Sequence, residues 1–302
     1  MSIKQAEISP EFNFKNYLEV KRREFDLFLE KSLPRNVDIH PGLLTAMRYS
    51  VTAGGKRLRP ILAMAACEAC GGKAKDVLIP AVAIEFIHTY SLIHDDLPAM
   101  DNADLRRGKP TCHKVFGEAM AILAGDALLT EAFVLLGWWA SEEKKGTMGA
   151  KMVREIAIAA GVAGMVSGQA FDLDENQPES VLALDKLHLL KTGALIKASV
   201  LAGAIVAKAD KKKFQALSIY GENIGLAFQI VDDILDESEQ TGKDRGRDAI
   251  LGKKTYLFFM DRNLALKRAQ DLIVQAKKEL EIFGEKGRVL SAIADYIVAR
   301  KK

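Results

Sequence analysis

The chain has 302 residues, 49% hydrophobic and 27% charged, with 43 Lys and Arg against 40 Asp and Glu. That length suffices for one large core or two modest ones, and a formal charge of +3 excludes the strong positive field of a nucleic-acid binder. Three cysteines, an odd count, argue against a disulfide framework.

Aromatic residues make up 7% of the chain while Ala, Leu and Ile abound, which favours helix over sheet. Residues 1–13 are mixed polar, with no basic stretch leading into an apolar one, so no secretory signal is expected. Residues 12–33 repeat apolar positions at helical spacing (Phe14, Tyr17, Leu18, Phe25, Phe28, Leu29). Pro34 closes that helix. Pro41 opens a second, and Gly54-Gly55 stops it. Pro60 opens a buried helix rich in Ala and Met. It carries Cys67-Glu68-Ala69-Cys70, a C-x-x-C without a second Cys pair, read as small core-facing thiols rather than a metal or redox site. Pro80 lies in the first turn of the next helix. Further helices are expected at about 118–140, 151–172, 180–207, 211–236 and 264–300. No strand alternation, fixed-period repeat or long linker interrupts them. No uninterrupted apolar run reaches the roughly 18 residues of a membrane span. The expectation is one all-α domain over residues 1–302, soluble and cytoplasmic, with long, closely packed helices.

Two acidic runs stand out against this apolar background: Asp95-Asp96-Leu97-Pro98-Ala99-Met100-Asp101 and Asp232-Asp233-Ile234-Leu235-Asp236. Carboxylates on an apolar wall are costly unless a cation joins them. Asp232 and Asp236 are four apart and share a helix face, with Gln229 one turn earlier. On an unbroken helix Asp95 and Asp101 would stand about 9 Å apart along the axis, but Pro98 forbids an unbroken helix and lets the chain swing Asp101 back beside Asp95. The two runs together imply hard divalent ions, Mg²⁺ above all, held for a diphosphate substrate. The plainer alternatives are an exposed acidic helix end and an acidic loop.

Basic sets follow. Asp104-Leu105-Arg106-Arg107-Gly108 puts two forked donors beside the first run, suited to phosphate. Gly54-Gly55-Lys56-Arg57-Leu58-Arg59-Pro60 combines a tight turn with three cations. Lys191-Thr192 interrupts an apolar helix, and Lys243 and Lys253 flank a polar loop, expected to be mobile, after the second run. That is cation enough for two polyanionic substrates. No Gly-rich nucleotide loop is present. His88 could donate to a phosphate or be a satisfied core histidine; Cys112 and His113 read as structural.

These strings, with SLIHDDLPAMD, LRRGKPTCHKVFGEAMAILAGDALL and IGLAFQIVDDILD, resemble the short-chain trans-isoprenyl diphosphate synthases, bacterial farnesyl diphosphate synthases in particular, over most of the chain. The resemblance implies a helical bundle around a deep cavity, a homodimer, and three Mg²⁺ ions for which Mn²⁺ can substitute. It implies metal ligation by Asp95, Asp96, Asp101, Asp232, Asp233 and Asp236. It implies that Gly55, Lys56, Arg59, His88 and Arg107 bind isopentenyl diphosphate, and that Arg106, Lys191, Thr192, Gln229, Lys243 and Lys253 hold an allylic diphosphate. Asp95, Asp96, Asp101, Arg106, Lys191 and Asp232 are the catalytic set so implied. Tyr90, five residues before Asp95, with Ser91 beside it, is expected to limit product length. A ring there, where plant geranylgeranyl synthases tend to carry Met, together with the inserted Pro98-Ala99, favours a C15 product over C10 or C20. Asp244, Arg247 and Leu257 depart from the family pattern. A class I terpene cyclase would not need Gly54–Pro60 and Arg107, and an inactive regulatory subunit would not need Asp95, Asp101, Asp232 and Lys191. The basic end, Arg300-Lys301-Lys302, either closes over the diphosphate site or is simply solvated, and the solvated reading is favoured.

Overall fold

A computed structural model describes residues 12–35, 38–238 and 253–300. The helix α1 (Phe14–Ser32) is capped by Asn13, whose side chain accepts from the Asn16 N–H at 3.0 Å. Pro41 occupies the first turn of α2 (Pro41–Val51), where its missing N–H has no intrahelical partner to lose. Gly54 and Gly55, at φ +87 and +131, turn the chain into α3 (Leu58–Ala69), so Pro60 sits just inside that helix. A 3₁₀ turn, Ala74–Val77, leads into α4 (Leu78–Asp95), which is buried on most sides and ends at the first acidic run.

Then come α5 (Cys112–Phe116), α6 (Glu118–Ser141), α7 (Gly146–Ala160) and α8 (Met165–Leu173). The single helix expected over 151–172 is in fact these last two, parted at Gly161–Gly164. The one expected over 180–207 is α9 (Val181–His188), a π-helical turn Leu189–Gly193, and α10 (Ala194–Val206). A long α11 (Lys211–Ser238) carries the second acidic run. The tail divides into α12 (Tyr256–Phe259), α13 (Arg262–Glu279), a 3₁₀ segment Leu280–Gly287, and α14 (Arg288–Ala299). Contrary to the expectation of no strand, β1 (Leu105–Arg106) pairs antiparallel with β2 (Lys109–Pro110). Arg107 and Gly108, at φ 54 and 75, form its turn. Across the described residues the fold is all-α apart from this ribbon.

α4 packs on α6, α3 and α2; α10 lies between α3 and α11; α11 lies against α13 and α14. The buried apolar side chains form one contiguous cluster. Small residues bring the helices close: a Cβ on Gly203 of α10 would collide with the Ala63 carbonyl of α3. Cys67 and Cys112 are buried free thiols, and Cys70 is half-buried. Four helical stretches, Ala74–Asp95, Glu118–Ser141, Gly146–Leu173 and Val181–Val206, are long and apolar enough to cross a membrane by length and composition. This qualifies the sequence reading, which required runs free of any charge. The first and last are mostly buried inside the bundle, whereas the middle two leave Ile122, Leu123, Val134, Trp138, Ile158 and Val162 exposed.

Candidate active site

The first acidic run bends as Pro98 requires. α4 stops at Asp95, and the Asp101 N–H donates to the Asp95 carbonyl at 2.8 Å, which folds Asp101 back over the helix end. Burial pushes the Asp95 carboxyl up to about 6, against the pull of Lys191 and with a push from Asp101. Asp96 turns away, 3% exposed, and takes Arg106: Nε lies 3.0 and 3.3 Å from its two oxygens, and Nη2 also pairs with it. Its carboxylate thus fixes the arginine. Asp104, at the start of the ribbon, pairs with Lys114 at 2.8 Å.

The Gly54-Gly55 turn and the β1–β2 ribbon meet. Arg107 Nη1 donates to the Gly54 carbonyl, and a Cβ on Gly55 would lie 2.7 Å from that same nitrogen. Gly55 is therefore glycine both for its φ and for the guanidinium that lies on it. Arg59 and His88 line the cavity described below. Burial lowers Arg59 to about 10, and Arg107 adds to that; burial and the same arginines hold His88 well below the usual imidazole range. A neutral imidazole among crowded guanidiniums is arranged to receive an anion. The Arg59 Nε has no hydrogen-bond partner among the described residues. Arg57 is different: it turns inward to Glu85 at 2.7 Å and Asp26 at 2.8 Å. Lys56 is exposed and faces Asp232 electrostatically.

Lys191 and Thr192 sit in the π-helical turn, gripped on two sides. A Cβ on Gly168 of α8 would collide with the Lys191 backbone nitrogen, and one on Gly225 of α11 would lie 2.8 Å from the Gly193 Cα. Lys191 Nζ reaches Asp172 at 2.7 Å; Lys253 Nζ reaches the same Asp172 oxygen at 2.5 Å and Asp101 at 3.5 Å. Burial alone would raise Asp172, but the two lysines outweigh it and hold its carboxyl below the usual range. The sequence reading missed Asp172, which it placed at the end of the helix expected over 151–172 and gave no role. Its signal was a carboxylate four residues after Gly168 on an otherwise apolar face.

On α11 the second run is regular. Gln229 is half-buried, three residues before Asp232, and burial pushes Asp232 up to about 6 despite Arg300. Asp233 points elsewhere and accepts the Tyr256 N–H at 2.9 Å. Asp236 is exposed at the site end of the face it shares with Asp232. Arg300 corrects the reading of a solvated end. It is 8% exposed, pairs with Asp232 at 2.7 Å, donates to the Phe228 carbonyl and lies over the Phe228 ring. Lys243, Asp244, Arg247, Lys301 and Lys302 lie outside the described residues.

Between these groups lies a cavity of about 430 Å³. Arg59, His88, Asp95, Lys191 and Thr192 form its polar wall; Tyr90, Ser91, Met165, Val166 and Leu173 form much of the rest. Tyr90 is 8% exposed and edge-on to His94, and the Ser91 hydroxyl donates to the His88 carbonyl. The Gln169 amide, also in the wall, has no partner among the described residues. A larger groove, about 760 Å³ and lined by Lys144, Lys145, Lys151, Arg154 and Lys208, shares no residue with this one.

The sequence profile of the polyprenyl synthetase family matches residues 40–291. The chain is 47% identical over 268 residues to the farnesyl diphosphate synthase of Escherichia coli (strain K12), covering 86% of this chain and 90% of that one. It is 44% identical to the geranylgeranyl diphosphate synthase of Cyanophora paradoxa, covering 96% and 97%. Its fold superimposes on a crystal structure of an FPP/GFPP synthase from Zymomonas mobilis with TM-score 0.84 and 42% identity, over 95% of this chain and 99% of that one.

Proposed function

The chain belongs to the polyprenyl synthetase family and is a prenyltransferase of isoprenoid biosynthesis, and from that premise we propose that it condenses isopentenyl diphosphate with dimethylallyl and then geranyl diphosphate to give farnesyl diphosphate. The observation that carries the reading is the convergence of Asp95, Asp101, Asp172, Lys191 and Lys253 at the mouth of an apolar cavity.

The donor set fits divalent metal. Asp95, Asp101, Asp232 and Asp236 are hard oxygen donors, and burial has left Asp95 and Asp232 under-neutralised. Among the described residues no three acidic, imidazole or thiol groups come together to hold a metal ion by themselves, so the ions would need phosphate oxygens and water as further ligands. Bound Mg²⁺ would neutralise the diphosphate oxygens and so favour their departure as a leaving group. Lys191, Thr192, Lys253 and Arg106 hold the allylic diphosphate, with Arg106 oriented by Asp96. Arg59, His88 and Arg107 hold isopentenyl diphosphate, with His88 as a neutral donor. The allylic C1–O bond breaks with its electron pair on oxygen. The isopentenyl double bond attacks C1, and a proton leaves C2 of the isopentenyl unit to the released diphosphate. The apolar wall keeps water from the cation in the interval.

Tyr90 supports the C15 product. Its ring lines the cavity, edge-on to His94, and a bulky ring in that wall would stop a longer chain. The assay uses purified protein, Mg²⁺, isopentenyl diphosphate and, separately, dimethylallyl, geranyl and farnesyl diphosphates, with product length read by mass. Farnesyl product from the first two primers, and no extension of the third, is expected. Geranylgeranyl product would keep the chemistry and overturn the role of Tyr90.

The large apolar side chains that α6 and α7 leave exposed, Trp138 above all, support a homodimer that covers them. Sedimentation should give twice the chain mass, and Trp138→Glu should shift it toward one.

A further inference from the structure

Tyr256 joins three walls of the site without touching the cavity. It is fully buried at the start of α12. Its N–H donates to Asp233 on α11 at 2.9 Å. Its hydroxyl donates to Asp185 on α9 at 2.6 Å. Its ring stacks on His188, three residues before Lys191, with centroids 5.5 Å apart. Behind Asp185 stands Arg268 of α13, paired with the other carboxylate oxygen. Burying an acid, a phenol and a guanidinium together is a poor way to gain stability; apolar side chains of the same volume often do as well or better. Such a network does specify one arrangement of the elements that it ties.

The segment tied is the one that carries Lys253. Lys253 lies three residues before Tyr256. Lys254, between them, donates from its backbone N–H to the Gln177 amide oxygen at 3.3 Å and from Nζ to the Pro178 carbonyl at 3.1 Å. Lys253 therefore leaves a backbone pinned at the first and third residues after it, and its ammonium arrives between Asp101 and Asp172. Burial and Asp185 raise the Tyr256 phenol above its ordinary value, so it remains a donor at every working pH.

We propose that Tyr256, anchored by Asp185 and Arg268 and tied to the second acidic motif through Asp233, is a positioning residue that sets the placement of Lys253 between Asp101 of the first motif and Asp172, and through it the affinity for the allylic diphosphate. This rests on the reading that Lys253 binds that diphosphate. The proposal explains why Asp233, beside Asp232, faces away from the cavity: it holds the returning chain.

The test compares initial rates of full-length Tyr256→Phe, Lys253→Ala and the double variant, varying geranyl and isopentenyl diphosphates in turn. Tyr256→Phe removes one oxygen and should raise the KM for geranyl diphosphate about tenfold while leaving that for isopentenyl diphosphate within about twofold. The double variant should be no worse than Lys253→Ala alone. A purely structural role would lower Tm without separating the two KM values, and that result overturns the proposal. So does an additive double variant. If Lys253→Ala raises the geranyl KM and Tyr256→Phe does not, the proposal alone fails; if Lys253→Ala moves neither KM, the reading of Lys253 fails with it. Should Tyr256→Phe not fold, Arg268→Gln, which removes the outer anchor at a partly exposed position, should give the same separation of KM values in smaller measure. Its absence counts equally against the proposal.

Discussion

At the first acidic motif the backbone bends; at the second it runs straight. Asp95 and Asp101 are brought together by a chain reversal at Pro98, closed by a backbone hydrogen bond. Asp232 and Asp236 need only helical spacing on α11. In both places burial lifts the leading carboxyl to about 6. The offsetting cations differ in origin. Asp95 is opposed chiefly by Lys191, a residue that also faces the cavity, whereas Asp232 is opposed chiefly by Arg300, from the far end of the chain. One motif is thus balanced by the groups proposed to hold substrate, and the other by a contact that any cation entering there must share or displace.

The largest effect should fall at the bend. Asp95→Ala removes the leading carboxylate of the bent motif and should lower kcat by roughly 10³-fold, with the helical circular dichroism signal retained. Asp236→Asn, at an exposed position of the straight motif, should cost less than about tenfold. Equal losses would erase the contrast between the two sites.

Next comes the turn that aims Lys191. Gly168→Ala puts a methyl group against the Lys191 backbone nitrogen. Overpacking of this kind costs about 1–3 kcal/mol, and the displaced ammonium should lower kcat/KM for the allylic substrate by roughly 10²-fold. Chemical denaturation and steady-state kinetics read the two effects separately. A variant that loses stability but not activity would show that Lys191 does not depend on the turn.

How much of this was legible beforehand follows from which forces are local. The Pro98 reversal was readable because a proline past the first turn breaks the helix that it follows, and the α11 stripe because 3.6-residue spacing needs no tertiary information. The tightness of the Gly54-Gly55 turn was readable too. What escaped were contacts made by distant segments. Nothing near Arg300 announces Asp232, 68 residues upstream, and three terminal cations look solvated by composition alone. Asp172 was the last residue of an expected helix and acquires meaning only when Lys191 and Lys253 arrive from two other elements. The π-helical turn at Leu189–Gly193 was read as unbroken helix, because the close approach of Gly168 and Gly225 that shapes it is a packing fact. The breaks inside 151–172 and 180–207 were missed for the same reason. Gly161 and Gly164 were visible as residues, but a glycine inside an apolar pattern marks a break only when packing requires one.

Arg300 sharpens the comparison further. Arg300→Met should strip Asp232 of its main partner and destabilise the metal-free protein by on the order of 2 kcal/mol, less than a fully buried pair would lose because Asp232 keeps some solvent. Saturating Mg²⁺ should return part of that loss as a larger rise in Tm than the unaltered protein shows. An equal Mg²⁺ shift in both would mean that Arg300 and the ion do not compete for Asp232.

The smallest effect is in the pH dependence, and its sign follows from the two kinds of shifted group. His188, 7% exposed and without a hydrogen-bond partner for either ring nitrogen among the described residues, is lowered to about 4 by burial, and His88 is lowered too. The unfolded chain takes up those protons near the ordinary value of about 6.5, so their contribution is present above that pH and is lost as the pH falls toward the folded values. For His188 the loss between pH 7 and 5.5 is about 1 kcal/mol. Asp95 and Asp232 act in the opposite direction. With folded values near 6 against about 3.9 unfolded, the folded state takes up protons first, and acidification through the same window stabilises it by slightly under about 1 kcal/mol each. In EDTA the two pairs largely offset each other and Tm should change little between pH 7 and 5.5. With Mg²⁺ on the carboxylates, their proton uptake is suppressed while the histidines titrate as before, so the same acidification should lower Tm more steeply. Thermal melts at both pH values, with and without Mg²⁺, measure the difference. Parallel slopes would mean that the ion does not reach Asp95 and Asp232.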